Sequence, residues 1–256
     1  MTRDVGRFIW FELITEDIDR ATAFYAELFG WNIASVEMPN GMRYPLISVG
    51  KAPIGGIMRP PVESMPSHWM SYVSVDEVDA TARRVVAAGG KALADAFDVP
   101  GYGRVQTVQD PHGGVFGLWR GVEGDVDAPR GTGSFHWNEL WTTDPEATVG
   151  FYETVLGYAH DVNPMPMGEY FILRSGDVWR GGVMGLPVPG VPPMWMKYVA
   201  VDDCDAAVAR AKKGGGRMLS EPTEMSGVGR FAVVMDPGNA AIGLVEPEHA
   251  MKEQEP

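Results

Sequence analysis

Two glutamates stand at matching places in two similar strings, Glu12 in FIWFELIT and Glu139 in FHWNELWT. Residues two apart along a strand share a face, so Glu12 sits beside Trp10 and Glu139 beside Trp137. A carboxyl group among indoles and methionines is expected to hold its proton more tightly than in water, which fits it for general acid or base work. The structural alternative is that each carboxylate pairs with a backbone amide or with an arginine such as Arg104 or Arg230 and fixes packing. His68, which opens the segment HWMSYVSV, titrates near neutrality and is the third candidate proton carrier. Its place at the strand's entrance, after a proline-rich link, better suits a solvated or capping histidine. Around these groups the same alternation sets Trp10, Tyr44, Met70, Tyr72 and Trp119 in one half of the chain, and Trp137, Tyr170, Met196 and Tyr198 in the other. Aromatic rings bury large areas and methionine adapts its shape, so such walls suit flat or irregular apolar ligands. Ordinary core packing would use many of the same residues.

These positions recur because the chain is written twice. Asp17, Phe24, Tyr25 and Gly30 return 127 residues later as Asp144, Phe151, Tyr152 and Gly157. After one deletion the offset is 126, which carries Tyr44 to Tyr170, Gly55 and Gly56 to Gly181 and Gly182, Trp69 to Trp195, and GYGR to GVGR. A register held this long marks an internal duplication. Residues 1–123 form the first module and 134–248 the second, with a polar, glycine-rich linker at 124–133 and a polar tail at 249–256. Within each copy the pattern predicts strand, helix, three strands, and the same again. The segment EDIDRATAFYAELFGW has helical apolar spacing and a glycine stop, and DEVDATARRVVAAGG has an acidic start and a glycine stop. A DP turn joins the last two strands of each copy, in DPHGGVFGLW and DPGNAAIGLV. The paired glycines and GYGR or GVGR read as strand bends and turns, since none follows a strand and opens a helix as a nucleotide loop does.

Composition removes several classes of function. Lys and Arg total 21 against 34 Asp and Glu, a formal charge of −13, with no basic run, so nucleic acid is a poor partner. No segment is long and apolar enough to span a membrane, which makes a cytoplasmic protein with no membrane partner the expectation. Cys204 is the only cysteine, which excludes an intrachain disulfide; three neighbouring aspartates oppose a reactive thiolate. The five histidines form no ligand-spaced group. A monomer and a homodimer are both open.

The helix DIDRATAFYAELFGW, the run VDEVDA…AAGGK…DPHGG, and their copies DPEATVGFYETVLGY and VDDCDAAV…GGGRMLSEP…DPGN resemble the glyoxalase, bleomycin-resistance and extradiol-dioxygenase superfamily, the vicinal oxygen chelate proteins. The likeness covers residues 5–120 and 132–247, and within the superfamily it is strongest to the two-module actinobacterial glyoxalase-like proteins. It implies an α+β fold of tandem modules, each of paired β-α-β-β-β units whose mixed sheets curl around a cup. It also implies a divalent metal held by His, Gln or Glu, and the matching positions are unsuited to one. The first is Trp10 and Trp137, the second Met70 and Met196, and the carboxylate that ends the DPxG strand is Gly117 and Gly243. Indole has no lone pair to offer, thioether is a poor donor to hard ions, and glycine has no side chain. The expectation is therefore no metal and no other cofactor. Metal-free binding of a small apolar or aromatic molecule, for resistance or sequestration, is the leading reading. A metal-independent isomerase, hydrolase or cyclase using Glu12 or Glu139 is the alternative, ahead of a metal-dependent glyoxalase or dioxygenase or a scaffold.

Overall fold

The computed structural model describes residues 3–39, 41–165 and 168–248; the tail at 249–256 lies outside them. The first repeat runs β1 (Phe8–Ile14), α1 (Ile18–Phe29), β2 (Asn32–Glu37), β3 (Arg43–Val49), β4 (Ala52–Met58), β5 (His68–Ser74), α2 (Val78–Ala87), β6 (Lys91–Ala92), β7 (Phe97–Val99), β8 (Gly103–Gln109) and β9 (Val115–Gly121). The second runs β10 (Phe135–Thr142), α3 (Pro145–Leu156), β11 (Ala159–Met165), β12 (Gly168–Ser175), β13 (Val178–Gly185), β14 (Met194–Ala200), α4 (Cys204–Lys213), β15 (Arg217–Met218), β16 (Thr223–Met225), β17 (Gly229–Met235) and β18 (Ala241–Pro247).

Local chemistry sets the element ends. Asp17 and Asp144 cap α1 and α3 by accepting from the amides of Arg20 and Ala147, both at 3.1 Å. Gly30 and Gly157 end the same helices in the left-handed region, at φ 70° and 73°. Each repeat is a curled mixed sheet of the α+β class, ordered β2-β3-β4-β1-β5-β9-β8-β6 in the first and β11-β12-β13-β10-β14-β18-β17-β15 in the second. β7 and β16 add to β8 and β17. Pairing is parallel between β1 and β4, β5 and β9, β10 and β13, and β14 and β18. No helix among the described residues is long and apolar enough to cross a membrane.

The chain divides into two compact units, and each draws on both repeats. One contains residues up to 10, 70–125 and 137–196. Here α2 packs on α3, and Arg84 Nε donates to the Val155 carbonyl at 3.2 Å, which sets a cation at the negative end of α3. The other contains 11–69, 126–136 and the chain from 197 on. Here α1 packs on α4, and Arg210 repeats the contact on the Leu28 carbonyl at 3.3 Å.

The two DP turns hold these units by the same exchange. In the first unit Asp110 is 2% exposed and accepts from the amides of His112 and Gly114 and from Tyr152 Oη at 3.0 Å; Trp195 Nε1 in turn donates to Tyr152 Oη at 2.9 Å. In the second unit Asp236 accepts from the amides of Gly238 and Ala240 and from Tyr25 Oη at 3.0 Å, and Trp69 Nε1 donates to Tyr25 Oη at 2.8 Å. The turn of each repeat thus receives the helix tyrosine of the other. The linker is tied down as well. Asp125 is buried and accepts from the Asp4 amide at 2.6 Å and Ser74 Oγ at 2.8 Å, while Gly133 O accepts from Trp31 Nε1 at 2.7 Å.

Lys197 on β14 is 2% exposed and donates from Nζ to the Trp69 carbonyl at 2.7 Å. Burial pushes its ammonium down to about 7 from 10.5. The folded value lies below the unfolded one, so the stability linked to this group is present above 10.5 and is lost as pH falls toward 7. Relative to Lys197→Met, the wild-type unfolding free energy should therefore rise by up to about 1.4 kcal/mol per pH unit between those values. Urea titrations across that range check this; parallel curves for the two proteins would refute it.

Candidate functional site

In the second unit Glu12 lies on β1 directly across from Gly56 of β4, and it is 7% exposed. Tyr44 from β3 lays its ring over Gly56 and donates from Oη to Glu12 Oε1 at 2.8 Å. A Cβ at Gly56 would stand closer than 3.0 Å to that phenol. The glycine is therefore what lets the ring lie flat on the sheet and reach the carboxylate. The first unit contains the counterpart: Glu139 on β10 faces Gly182 of β13, and Tyr170 crosses that glycine to donate to Glu139 Oε2 at 2.9 Å. Two tryptophans extend this cluster. Trp137 Nε1 donates to Tyr170 Oη at 2.8 Å, and Trp141 Nε1 donates to Glu139 Oε1 at 2.7 Å. Trp137, Glu139 and Trp141 are alternate residues of one strand, as a shared face requires.

One expectation needs correction. Neither arginine offered as a carboxylate partner serves a glutamate of this kind. Arg104 pairs with Asp79 at 2.7 Å and with Asp98 of β7 at 3.1 Å, and Arg230 pairs with Asp205 at 2.6 Å; Asp79 and Asp205 stand in the acidic first turns of α2 and α4. The glycine pairs at 55–56 and 181–182 follow directly on register shifts in the β3–β4 and β12–β13 ladders, and a Cβ at any of the four would strike the neighbouring backbone or a tyrosine ring.

The same device fills the position matched to the metal carboxylate. In the first unit Tyr72 of β5 pairs with Gly117 of β9, and its ring occupies the place where a side chain at 117 would begin. In the second unit Tyr198 of β14 pairs with Gly243 of β18 and does likewise. A carboxylate at either glycine would collide with an aromatic ring. Among the described residues, no three His, Cys, Asp or Glu side chains are grouped so as to hold a metal ion. Trp10, Trp137, Met70, Met196 and these glycines do not fit one.

The remaining candidates fall as follows. Met70 and Met196 are buried, at 6% and 1% exposure. Trp10 is half-buried. Trp119 lies against Gly103 and is paired across the ladder with Val105. At the matching pair of the second repeat, aromatic and aliphatic have changed places: Val245 stands opposite Phe231. Phe231 meets Tyr198 edge to face, with ring centroids 6.4 Å apart. His68 turns its Nδ1 to the Pro66 carbonyl at 2.8 Å, and burial lowers its pKa. Cys204 begins α4, is fully buried, and has its thiol pushed up to about 11 by burial, which makes it inert.

Trp141, Trp179 and Phe231 were not among the expected residues. Trp179 on β13 meets Trp137 at 78° with centroids 6.3 Å apart. Trp141 was accessible in principle, since it stands two residues beyond Glu139 on the face already assigned to the carboxylate.

Residues 134–244 match the family described as Glyoxalase/Bleomycin resistance protein/Dioxygenase superfamily, and residues 7–50 match Bleomycin resistance protein-like N-terminal. CFP32 of Mycobacterium tuberculosis, whose name assigns it provisionally as a glyoxylase, is 38% identical over 245 residues, covering 93% of this chain and 94% of its own. The anthracycline biosynthesis protein DnrV of Streptomyces peucetius is 32% identical over 257 residues, covering 94% and 93%. Among solved structures, the Mn(II)-bound glyoxalase of Novosphingobium aromaticivorans superposes with a TM-score of 0.68 at 19% identity, covering 96% of this chain and 83% of that one. That likeness concerns the fold.

Proposed function

Because this chain belongs to the glyoxalase, bleomycin-resistance and dioxygenase superfamily, yet seats a tyrosine ring over glycine where a ligand carboxylate would stand in both repeats, we propose that it binds a small, largely apolar or aromatic organic molecule without a metal. The glycine and tyrosine pairs at 117 and 72, and at 243 and 198, carry this reading. In the first unit the half-buried Trp10, Trp119 and Trp137 supply contact area and Glu139 a polar anchor for orientation, and in the second unit Glu12 is the counterpart anchor. The name of DnrV, which ties that relative to anthracycline biosynthesis, supports a flat polycyclic occupant. Resistance or sequestration would follow from binding alone.

Native mass spectrometry of the full chain, purified with neither added metal nor chelator, tests this. The expected spectrum shows the bare mass or an organic adduct. A stoichiometric iron, manganese, nickel or zinc increment would overturn it.

One observation favours a second reading, a metal-independent isomerase, hydrolase or cyclase. In both repeats a phenol O–H is held against a carboxylate, at 2.8 Å on Glu12 and 2.9 Å on Glu139, the arrangement in which a proton can pass between substrate and protein. Under that reading Glu139→Gln lowers turnover of a substrate found from the adduct by roughly 100-fold or more at an unchanged melting temperature. Equal turnover by the variant would eliminate this role.

A further inference from the structure

We propose that the second unit binds a small zwitterion, an amino acid with an apolar side chain, in a cavity at the C-terminal end of α1, with the ligand carboxylate on Arg210 and its ammonium on Glu27 and the last carbonyls of the helix. The site shares no residue with the positions that carry the small-molecule reading above, and neither depends on the other.

The cavity holds about 260 Å³, and every residue around it belongs to the second unit. Apolar walls come from Leu28 and Phe29 of α1 and from Val201 after β14. The linker closes another side with Thr132, whose Oγ1 is tied to the Asp202 carboxylate. Such a volume suits a metabolite of amino-acid size and lies below that of pockets for larger organic ligands.

Glu27 and Arg210 both line this cavity, and the two opposite charges are not paired with each other. Arg210 gives Nε to the Leu28 carbonyl at 3.3 Å. Among the described residues, no hydrogen bond or ion pair engages its Nη1 and Nη2, and none engages the Glu27 carboxylate. A guanidinium with both terminal nitrogens open presents the fork that a carboxylate fits. An ammonium on the other side would meet Glu27 and a negative helix end, since α1 stops at Gly30 (φ 70°) and its last carbonyls lie outside the helical ladder. A simple anion would be repelled by that helix end and by a formal charge of −13, and a simple cation by Arg210. A ligand carrying both charges satisfies both ends.

The first unit makes the same helix-end contact with its charges already engaged. Arg84, the counterpart of Arg210, gives Nε to the Val155 carbonyl at 3.2 Å and Nη2 to Thr81 Oγ1 at 2.9 Å. The residue matching Thr81 is Ala207, which removes that partner from Arg210. In the place of Glu27 stands Thr154, whose hydroxyl donates to the Gly150 carbonyl of its own helix at 2.9 Å. Joining an arginine to a helix end therefore requires neither Glu27 nor open Nη atoms. The second unit has both, and has them at a cavity.

Calorimetric titration of the full chain near neutral pH with L-leucine, and with its single-charge fragments 4-methylpentanoate and 3-methylbutylamine, tests this. Leucine should bind with a Kd below about 1 mM, and each fragment roughly tenfold or more weakly. Glu27→Gln, at an exposed position, should leave the melting temperature unchanged and bring leucine to within about threefold of 4-methylpentanoate. Arg210→Gln should bring it equally close to 3-methylbutylamine. Arg84→Gln removes the matching helix contact in the first unit and should leave leucine binding unchanged, which separates loss of the ligand's partner from loss of packing. Wild-type binding of leucine no tighter than that of either fragment would overturn the proposal, as would no leucine binding at roughly 10 mM. A preference that survives both Glu27→Gln and Arg210→Gln, or an equal loss in Arg84→Gln, would also overturn it. Each of these results leaves the small-molecule reading standing.

Discussion

Replacing Gly117 by glutamate, which writes the superfamily's ligand carboxylate back into the strand, should destabilise the protein by about 3 kcal/mol and lower its melting temperature by roughly 6–12 °C. The new Cβ would begin inside the Tyr72 ring, which is itself 7% exposed and has little room to withdraw. Gly243→Glu should do the same against Tyr198. The cause can be isolated with a double-mutant cycle. If the clash is with the ring, Tyr72→Ala should relieve part of the cost of Gly117→Glu, giving a coupling of about 1 kcal/mol or more. Strictly additive melting shifts would locate the damage elsewhere. The variant also bears on metal binding, because a carboxylate restored at 117 still faces indole and thioether at the other two matched positions.

Asp110→Ala should cost about 3 kcal/mol or more, with Asp236→Ala equally severe. Removing the Asp110 carboxylate withdraws the acceptor from Tyr152 Oη and from the amides of His112 and Gly114 at once. Tyr152→Phe should be milder, at about 1–2 kcal/mol, because the turn keeps its own amide bonds. Chemical denaturation of the three variants gives the ranking, and an Asp110→Ala cost no greater than that of Tyr152→Phe would contradict this account of the turn. The network also has a pH signature. Burial is the largest influence on both aspartates and raises them above 3.8. For a carboxyl raised in the folded state, the linked stability is fully present below the unfolded value and is lost as pH rises through the folded one. Mild acid therefore strengthens these turns, and Asp110→Asn should flatten that part of the stability profile.

Legibility in the sequence followed the range of the interaction. The helix starting at Asp17 and stopping at Gly30, and its copy from Asp144 to Gly157, were readable because caps and stops act over a few residues. The face shared by Trp137 and Glu139 followed from strand alternation alone. What stayed hidden needed strand register. That Tyr44 covers Gly56 to reach Glu12 depends on three strands lying β3-β4-β1 in a fixed alignment, which no local pattern encodes. The bond from Tyr25 to Asp236 spans 211 residues. Trp141 and Trp179 escaped for another reason. Comparing the repeats selects what they share, and these tryptophans stand where the first repeat has Ile14 and Pro53.

The exchange between helix tyrosine and DP turn bears on how such a chain arose and what it was then free to become. A lone ancestral repeat would carry a tyrosine and an aspartate that satisfy each other only across two copies, so its stable form would be a symmetric homodimer. In that dimer every substitution is made twice, and a site cannot be improved in one half while the other half is left for stability. Fusion through the segment at 124–133 keeps the reciprocal bonds and makes the copies separately heritable. Trp141 opposite Ile14, Trp179 opposite Pro53, and Phe231 with Val245 opposite Val105 with Trp119 are differences that a homodimer of a single repeat could not carry. One repeat can then specialise while its twin supplies the other half of every turn.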